Sequence, residues 1–310
     1  MHVENVDIYG DSRFPNNDGF DPQSCVNVTL VHSRIDVADD GICPKSDRQM
    51  GPLRGLYVHN VSIRSKSHAI KFGSNTDTDM SDIVFDQVRI WDSNSGLAIQ
   101  QRSEGSIRNV TWSNIVLETR YEAPRWWGNG EWLVVTNTPR DDGHAIGSVS
   151  GMRFVNISGR AENGGLLSGL SGPGIEDVSF VNVSVQIAAW SNYSDAPTPC
   201  YAAPPTCTNE SEPKCLIHPL PTGAPFPCMG SRDYRPTPPG VPTPDGYSLR
   251  TPADADALYV ENARGVSFAN VTFEFEAPRR SWFGACVTFD NRTTGVVGLD
   301  QVRCVNGPEA

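Results

Sequence analysis

The chain has 310 residues and a formal net charge of −11, from 36 acidic and 25 basic side chains. This acidic balance argues against a phosphate-binding surface and, more weakly, against an anionic membrane surface, so we expect neither nucleic acid nor a membrane as a partner. No apolar run approaches the ~20 residues of a membrane-spanning helix, and the first five residues lack the basic and apolar parts of a signal peptide.

A strand-like hydrophobic pattern recurs along the chain. It has the form apolar-x-apolar-x-x-apolar-x-apolar, as in residues 83–90 and 178–185. Its first position falls at Val6, Val28, Leu56, Ile83, Val110, Met152, Val178, Val266 and Val297. Short alternating bursts rich in Val, Ile and Phe indicate strands, and they could also build a sandwich. A repeat with Gly and Asn at its corners is more typical of a solenoid, so we predict an all-β, right-handed parallel β-helix.

One elongated domain accounts for the whole chain, residues 1–310, because a solenoid buries its core coil by coil. Two long intervals between repeats, of 42 and 88 residues, interrupt it, and the second contains a Pro- and Cys-rich insertion at residues 190–257. The chain begins inside a coil, whereas a solenoid normally needs a cap. We therefore expect its N-terminal coils, and any export signal with them, to be missing.

Eight cysteines suggest disulfides and an oxidising compartment. Cys25 and Cys43 flank about one coil, and Cys286 and Cys304 lie near the last coil. The other four lie in the insertion, at Cys200, Cys207, Cys215 and Cys228. A zinc site is the less favoured interpretation because no Cys-x-x-Cys pair occurs. We expect no metal and no cofactor.

Nine Asn-x-Ser/Thr sequons occur. Six lie in or beside the repeat, where asparagine suits a turn: Asn27, Asn60, Asn109, Asn156, Asn182 and Asn270. We expect glycans only in loop-like sequence, at Asn192, Asn209 and Asn291. Together with the cysteines, these sites favour secretion.

Two acidic clusters, at residues 16–21 and at Asp39-Asp40, lie about one repeat apart. Adjacent coils are ~4.8 Å apart, so the clusters should stack on one face. His68 follows by about one further coil. The acidic residues could be simple turn formers. Stacked like charges repel, however, and a shared site would keep one carboxyl protonated and its neighbour ionised, which is the requirement for acid and base catalysis on a sugar.

Three short motifs resemble those of the polygalacturonase-like glycoside hydrolases of family 28, over residues 5 to about 185. They are Asn16-Asn17-Asp18, Asp39-Asp40-Gly41 and the degenerate Ser67-His68-Ala69. The resemblance implies a right-handed β-helix that hydrolyses galacturonan-type pectin with inversion and without a metal. It also implies that Asp39 is the general acid, that Asp18 and Asp40 activate the water, and that His68 tunes or orients the acid.

The Arg-Ile-Lys motif, which contacts the uronate carboxylate in that family, is absent. The corresponding stretch has Ala98 and Gln100 in place of the two cations. Arg102 or Lys71 could supply the missing charge, or the sugar could be neutral or differently substituted. Tryptophans could stack on sugar rings or equally cap the core. The predicted substrate-binding residues are Asn16, Asp21, Lys71, Gln100, Arg102, Trp126 and Trp127.

Three functions fit these residues. We favour a secreted, monomeric glycoside hydrolase acting on a pectin-type polysaccharide. A non-catalytic carbohydrate-binding β-helix is the alternative. A calcium-dependent polysaccharide lyase, with Asp18, Asp39 and Asp40 as calcium ligands, is less favoured.

Overall fold

Among the residues that the computed structural model describes, the regular structure consists of sixteen strands and one 3-10 helix, Leu299–Gln301. The structure describes residues 1–11, 16–120, 128, 130–137, 139, 145–169, 174–188, 256–279 and 283–308. In chain order the strands are β1 (His2–Glu4), β2 (Asp7–Tyr9), β3 (Val26–Val37), β4 (Leu53–Ser65), β5 (His68–Phe72), β6 (Met80–Ser93), β7 (Ser95–Gln101), β8 (Ile107–Thr119), β9 (Leu133–Asn137), β10 (Val149–Ala161), β11 (Gly165–Ser168), β12 (Ile175–Ile187), β13 (Leu258–Glu261), β14 (Ala263–Phe275), β15 (Val287–Phe289) and β16 (Val302–Val305).

The strands form two parallel sheets that wind together. The long strands give the order β1-β3-β4-β6-β8-β10-β12-β14-β16, with β2 also paired to β3. The short strands give the order β5-β7-β9-β11-β13-β15. From β4 to β15, each coil contributes a long strand to one sheet and then a short strand to the other. The predicted all-β parallel β-helix is confirmed. None of the described residues forms a helix with the length and hydropathy of a membrane span.

The predicted repeat has the correct register through most of the helix. Val28 pairs with Leu56 and Leu56 with Ile83, and the same position continues along every long strand to β14. The assignment of Val6 is wrong, because Arg34 donates to the Val6 carbonyl and Val6 therefore lies at the sixth position of the pattern. Both halves of the pattern read apolar-x-apolar, so a short segment fits either half. Val297 is shifted by one residue, to the level of Ser267.

Two rows of left-handed residues bend the long strands. They lie five positions apart and occur once per coil. The first row contains Asn27, Gly55, Asp82, Asn109, Gly151, Asp177 and Gly265, and the second contains His32, Asn60, Gln87, Asn114, Asn156, Asn182 and Asn270, with φ between 50° and 54° in the second. Asn, Asp and Gly tolerate this conformation best. A left-handed residue interrupts the alternation, which explains the double x of the pattern. All six sequon asparagines of the repeat occupy these corners, as expected for turn residues.

The third position of the repeat pattern carries an aromatic residue on successive coils, and these rings stack in the core. Ring centroids lie 6.2 Å apart between Phe85 and Trp112, 4.7 Å between Trp112 and Phe154, and 5.0 Å between Phe154 and Phe180. Phe268 extends the stack at 5.4 Å. Each such contact is worth ~0.5–1.5 kcal/mol beyond the area it buries. In-register repetition therefore stabilises this side of the coil.

One of the expected disulfides is present and another is not. Cys286 and Cys304 are bonded, with Cα atoms 5.8 Å apart. The expectation of a bridge for Cys25 and Cys43 is wrong, because both are free thiols. Arg54 of β4 donates to the carbonyl of Cys25, whereas Cys43 follows Ile42, which pairs with Ile70 of β5, so the two occupy different positions around the coil. The cysteines of the insertion, and Asn192 and Asn209, lie outside the described residues.

Candidate active site

The predicted catalytic residues meet on three consecutive coils, at the start of the short-strand side of the coil. Phe20 pairs with Ile42, and Ile42 with Ile70. Two residues upstream of each, this register stacks Asp18 on Asp40 and Asp40 on His68. The stacking inferred from the sequence is therefore present in the structure.

Asp40 is buried between two basic side chains. Its Oδ2 lies 2.6 Å from Lys71 Nζ, and its Oδ1 lies 3.2 Å from His68 Nδ1. Burial alone would raise the pKa of Asp40, but the charge of Lys71 and the contact with His68 outweigh it and hold that pKa well below its usual range. Burial also lowers the pKa of His68 and exceeds the opposing effect of Asp40. The arrangement keeps Asp40 ionised.

Asp39 is buried beside the Asp40 carboxylate, but its pKa is shifted in the opposite direction. Burial, followed by the charges of Asp40 and Asp18, raises the pKa of Asp39 from 3.8 to about 7. Two backbone amides donate to it, Asn16 N at 3.1 Å and Asp40 N at 3.0 Å. Asn17 Oδ1 accepts the Asp39 amide at 3.0 Å and so holds this backbone in place. Asp39 can therefore carry a proton near neutral pH while Asp40 cannot.

Lys45 is a site residue that the sequence analysis did not identify. Its Nζ lies 3.1 Å from Asp18 Oδ2 and also bonds the carboxylate of Asp21. Burial raises the pKa of Asp21 to about 6 against the opposing hydrogen bond from Lys45. The register could have revealed this cation, because Lys45 pairs with Gln23 one coil earlier, close to both acids.

Ligand atoms of Asp18, Asp21 and Cys43 lie within 4.8 Å of one another, a spacing that could suit a metal ion. Lys45 already bonds both of these carboxylates, however, and so supplies the positive charge that a metal would bring. Cys43 is fully buried, and its thiol lies 2.9 Å from the Gly73 carbonyl and 3.6 Å from Asp40 Oδ2. Burial raises the pKa of the Cys43 thiol well above its usual value, which opposes thiolate ligation.

The predicted substrate residues occupy different environments. Lys71 pairs with Ala98 in register, so its ammonium stands one coil from the position where the family motif has a cation. Gln100 is buried in β7. Arg102 is partly buried, and its amide donates to Thr76 Oγ1 at 3.1 Å. Asn16 is exposed beside Asp39. Trp126 and Trp127 lie outside the described residues.

Residues 1–124 match the family model described as glycosyl hydrolases family 28. All four predicted catalytic residues fall within this range. This N-terminal part of the chain is similar to that family. An endo-polygalacturonase of Pectobacterium carotovorum subsp. carotovorum is 28% identical over 106 residues, and one of Pectobacterium parmentieri is 27% identical over 106 residues. Each match covers 33% of this chain and 26% of the relative, so the chain spans about a quarter of the length of these relatives.

A solved family 28 structure also resembles the chain. It is the exopolygalacturonase of Yersinia enterocolitica, with a TM-score of 0.48 and 14% sequence identity. The superposition covers 94% of this chain and 38% of that chain.

Proposed function

We propose that this chain hydrolyses the glycosidic bonds of a pectin-type polysaccharide, with Asp39 as the general acid. The observation that carries this proposal is the pair of adjacent carboxyls with opposite protonation. Asp39 has a pKa of about 7, whereas Lys71 and His68 keep Asp40 ionised. Glycoside hydrolysis requires one protonated carboxyl for the leaving oxygen and one carboxylate for the water.

The proposed reaction is a single displacement with inversion. Asp39 donates its proton to the glycosidic oxygen as the bond from that oxygen to the anomeric carbon breaks. A water molecule attacks the same carbon from the opposite face and gives a proton to a carboxylate, for which Asp18 and Asp40 are the available groups. An inverting pair needs a separation of ~6.5–9.5 Å to admit this water. Proton NMR of the first product would show the inverted anomer, and retention would contradict the proposal.

The decisive experiment compares the wild type with Asp39→Asn. Reducing-sugar release is measured on polygalacturonate, rhamnogalacturonan, xylogalacturonan and neutral glycans, with a chelator present. We expect metal-independent release by the wild type and a loss of ~10²–10⁴-fold in the variant, the usual contribution of a general acid. A matched control is Asp300→Asn, an exposed acid on the 3-10 helix. Glycan binding without turnover by any of the proteins would show that the chain is a binding module instead.

We further propose that the protein acts outside the cell. The Cys286–Cys304 disulfide supports this location, because disulfides persist in oxidising compartments. Antibody detection in culture medium and in cell extract of the native source would test it, and retention inside the cell would contradict it.

A further inference from the structure

Asp40 is the most enclosed acid of the site. Its side chain is 3% exposed, compared with 20% for Asp18. Lys71 occupies one of its oxygens and His68 contacts the other, at 2.6 and 3.2 Å. The Cys43 thiol adds a third contact, 3.6 Å from Oδ2. This enclosure leaves little of the carboxylate within reach of a water molecule or a sugar.

Lys71 is enclosed in the same way, with 9% of its side chain exposed. It lies in β5 between the buried core residues Ile70 and Phe72. Side chains alternate along a strand, so Lys71 leaves on the opposite side from these two, toward the acids. Burial alone would lower the pKa of Lys71, but attraction to Asp40 outweighs it and raises that pKa. Buried charges persist when they are paired, so Lys71 and Asp40 form one unit of zero net charge.

Asp18 differs from Asp40 in both its access and its partner. It lies one coil nearer the N-terminus, and its ammonium partner Lys45 is itself 23% exposed. Of these two carboxylates, Asp18 therefore offers the larger surface to a bound water. Asp39 lies within the electrostatic reach of both carboxylates, since each raises its pKa.

We propose that Asp40 is a positioning residue that acts through Asp39 as half of a buried ion pair with Lys71, and that Asp18 is the carboxylate that takes the proton from the attacking water. This division of roles rests on the proposed glycoside hydrolysis. The water proton passes to Asp18, the water oxygen bonds to the anomeric carbon, the bond to the leaving oxygen breaks, and the Asp39 proton passes to that oxygen. Lys71 is then the internal counter-ion of Asp40 and not a ligand for a substrate carboxylate.

A charge-balanced pair of variants tests the proposal. Asp40→Asn leaves the charge of Lys71 uncompensated beside Asp39, so the pKa of Asp39 falls and the alkaline limb of the pH-rate profile moves to lower pH. Asp40→Asn with Lys71→Met removes both charges. We expect the double variant to move that limb back toward the wild-type position and to recover at least ~10-fold in kcat over the single variant. Asp18→Asn should lose ~10²–10⁴-fold at every pH.

An exposed ion pair provides the matched control. Asp79 and Arg108 lie 2.7 Å apart with 47% and 43% of their side chains exposed. Asp79→Asn, alone and with Arg108→Met, should leave the pH-rate profile in place. If the Asp40→Asn and double variants are equally inactive and the limb stays fixed, Asp40 acts on the water itself and the proposal is wrong.

Carbon-13 titration of the Asp39 carboxyl provides a readout that needs neither turnover nor substrate. The pKa of Asp39 should be highest in the wild type, intermediate in the double variant and lowest in Asp40→Asn. Equal values in the single and double variants would overturn the ion-pair assignment, even in folded protein. Absence of hydrolysis by the wild type would instead contradict the proposed function, while the titration order would still decide whether the pair acts as one unit.

Discussion

Equivalent residues of neighbouring coils stack at the same spacing on both sides of the β-helix, but this stacking is stabilising on one side and destabilising on the other. On the long strands, stacked residues are alike and attract each other, as in the ring stack through Trp112 and the amide row through Asn182. Before the short strands of the first coils, stacked residues are also alike, but Asp18 and Asp40 carry the same charge. Stacking in register therefore stabilises the long-strand side of the coil. On the side that carries Asp18 and Asp40 it causes like-charge repulsion, which neighbouring cations reduce.

The cations show how that repulsion is managed. Lys45 bonds the two acids of the first coil, and Lys71 bonds the buried acid of the next. Within the described part of the chain, Asp39 bonds backbone amides and forms no ion pair, so burial and the charges of Asp40 and Asp18 raise its pKa. A repeat protein can thus raise the pKa of a single acid by burying it beside acids of the neighbouring coils while only those neighbours pair with cations.

The largest expected effect on stability is at the centre of the ring stack. Trp112→Ala should lower the free energy of unfolding by ~3–5 kcal/mol, the usual range for a buried Trp, because rings on both adjacent coils lose a partner. Chemical denaturation measures this change. Trp112→Phe is the matched control, since it keeps a ring and removes an indole Nε1–H that has no partner in the described structure. A small effect of Trp112→Ala would show that the stack does not support the coil.

On the other side of the coil, removing an acid should stabilise the protein. The pKa of Asp39 is raised in the folded state, so its contribution to stability is fully present below 3.8 and is lost as pH rises through about 7. One pKa unit corresponds to ~1.4 kcal/mol, so Asp39→Asn should raise the free energy of unfolding at pH 8 by up to ~4 kcal/mol.

Urea titrations of the wild type and of Asp39→Asn at pH 8 and at pH 4 measure this difference. The gain should shrink to well under 1 kcal/mol at pH 4, where the folded wild type is protonated and the unfolded chain is only partly ionised. A gain of equal size at both pH values would trace it to packing and not to the charge of Asp39.

The sequence predicted the features that depend on repetition. The parallel β-helix, the register from Val28 to Val266 and the stacking of Asp18, Asp40 and His68 all follow from the spacing of residues along one chain. Those features are confirmed because a parallel coil brings equivalent positions together whatever the side chains are.

Features that depend on direction within a coil were harder to predict. Cys25 and Cys43 have a separation close to one coil, yet they lie at different points around it. The register of Lys45 with Gln23 would have placed it near Asp18 and Asp21, but strand alternation does not indicate that its side chain reaches back across a coil boundary to bond them. The ion pair of Lys71 with Asp40 was missed for the same reason, since the sequence suggested only that Lys71 could supply the missing cation for the substrate.

The smallest expected effect concerns the amide row at the second corner. Asn182 has φ of 54°, donates to Asn156 Oδ1 at 3.0 Å and accepts from Asn270 Nδ2 at 2.9 Å. Asn182→Ala should lower the free energy of unfolding by ~1–2 kcal/mol, because alanine is strained in the left-handed region. Asn182→Gly loses the same hydrogen bonds without that strain, so its loss should be the smaller of the two. Chemical denaturation of both variants separates the contribution of backbone strain from that of the lost hydrogen bonds. Equal losses would mean that the row is held by its amide hydrogen bonds, and the corner would then resemble the ring stack, where contacts between neighbouring coils set stability.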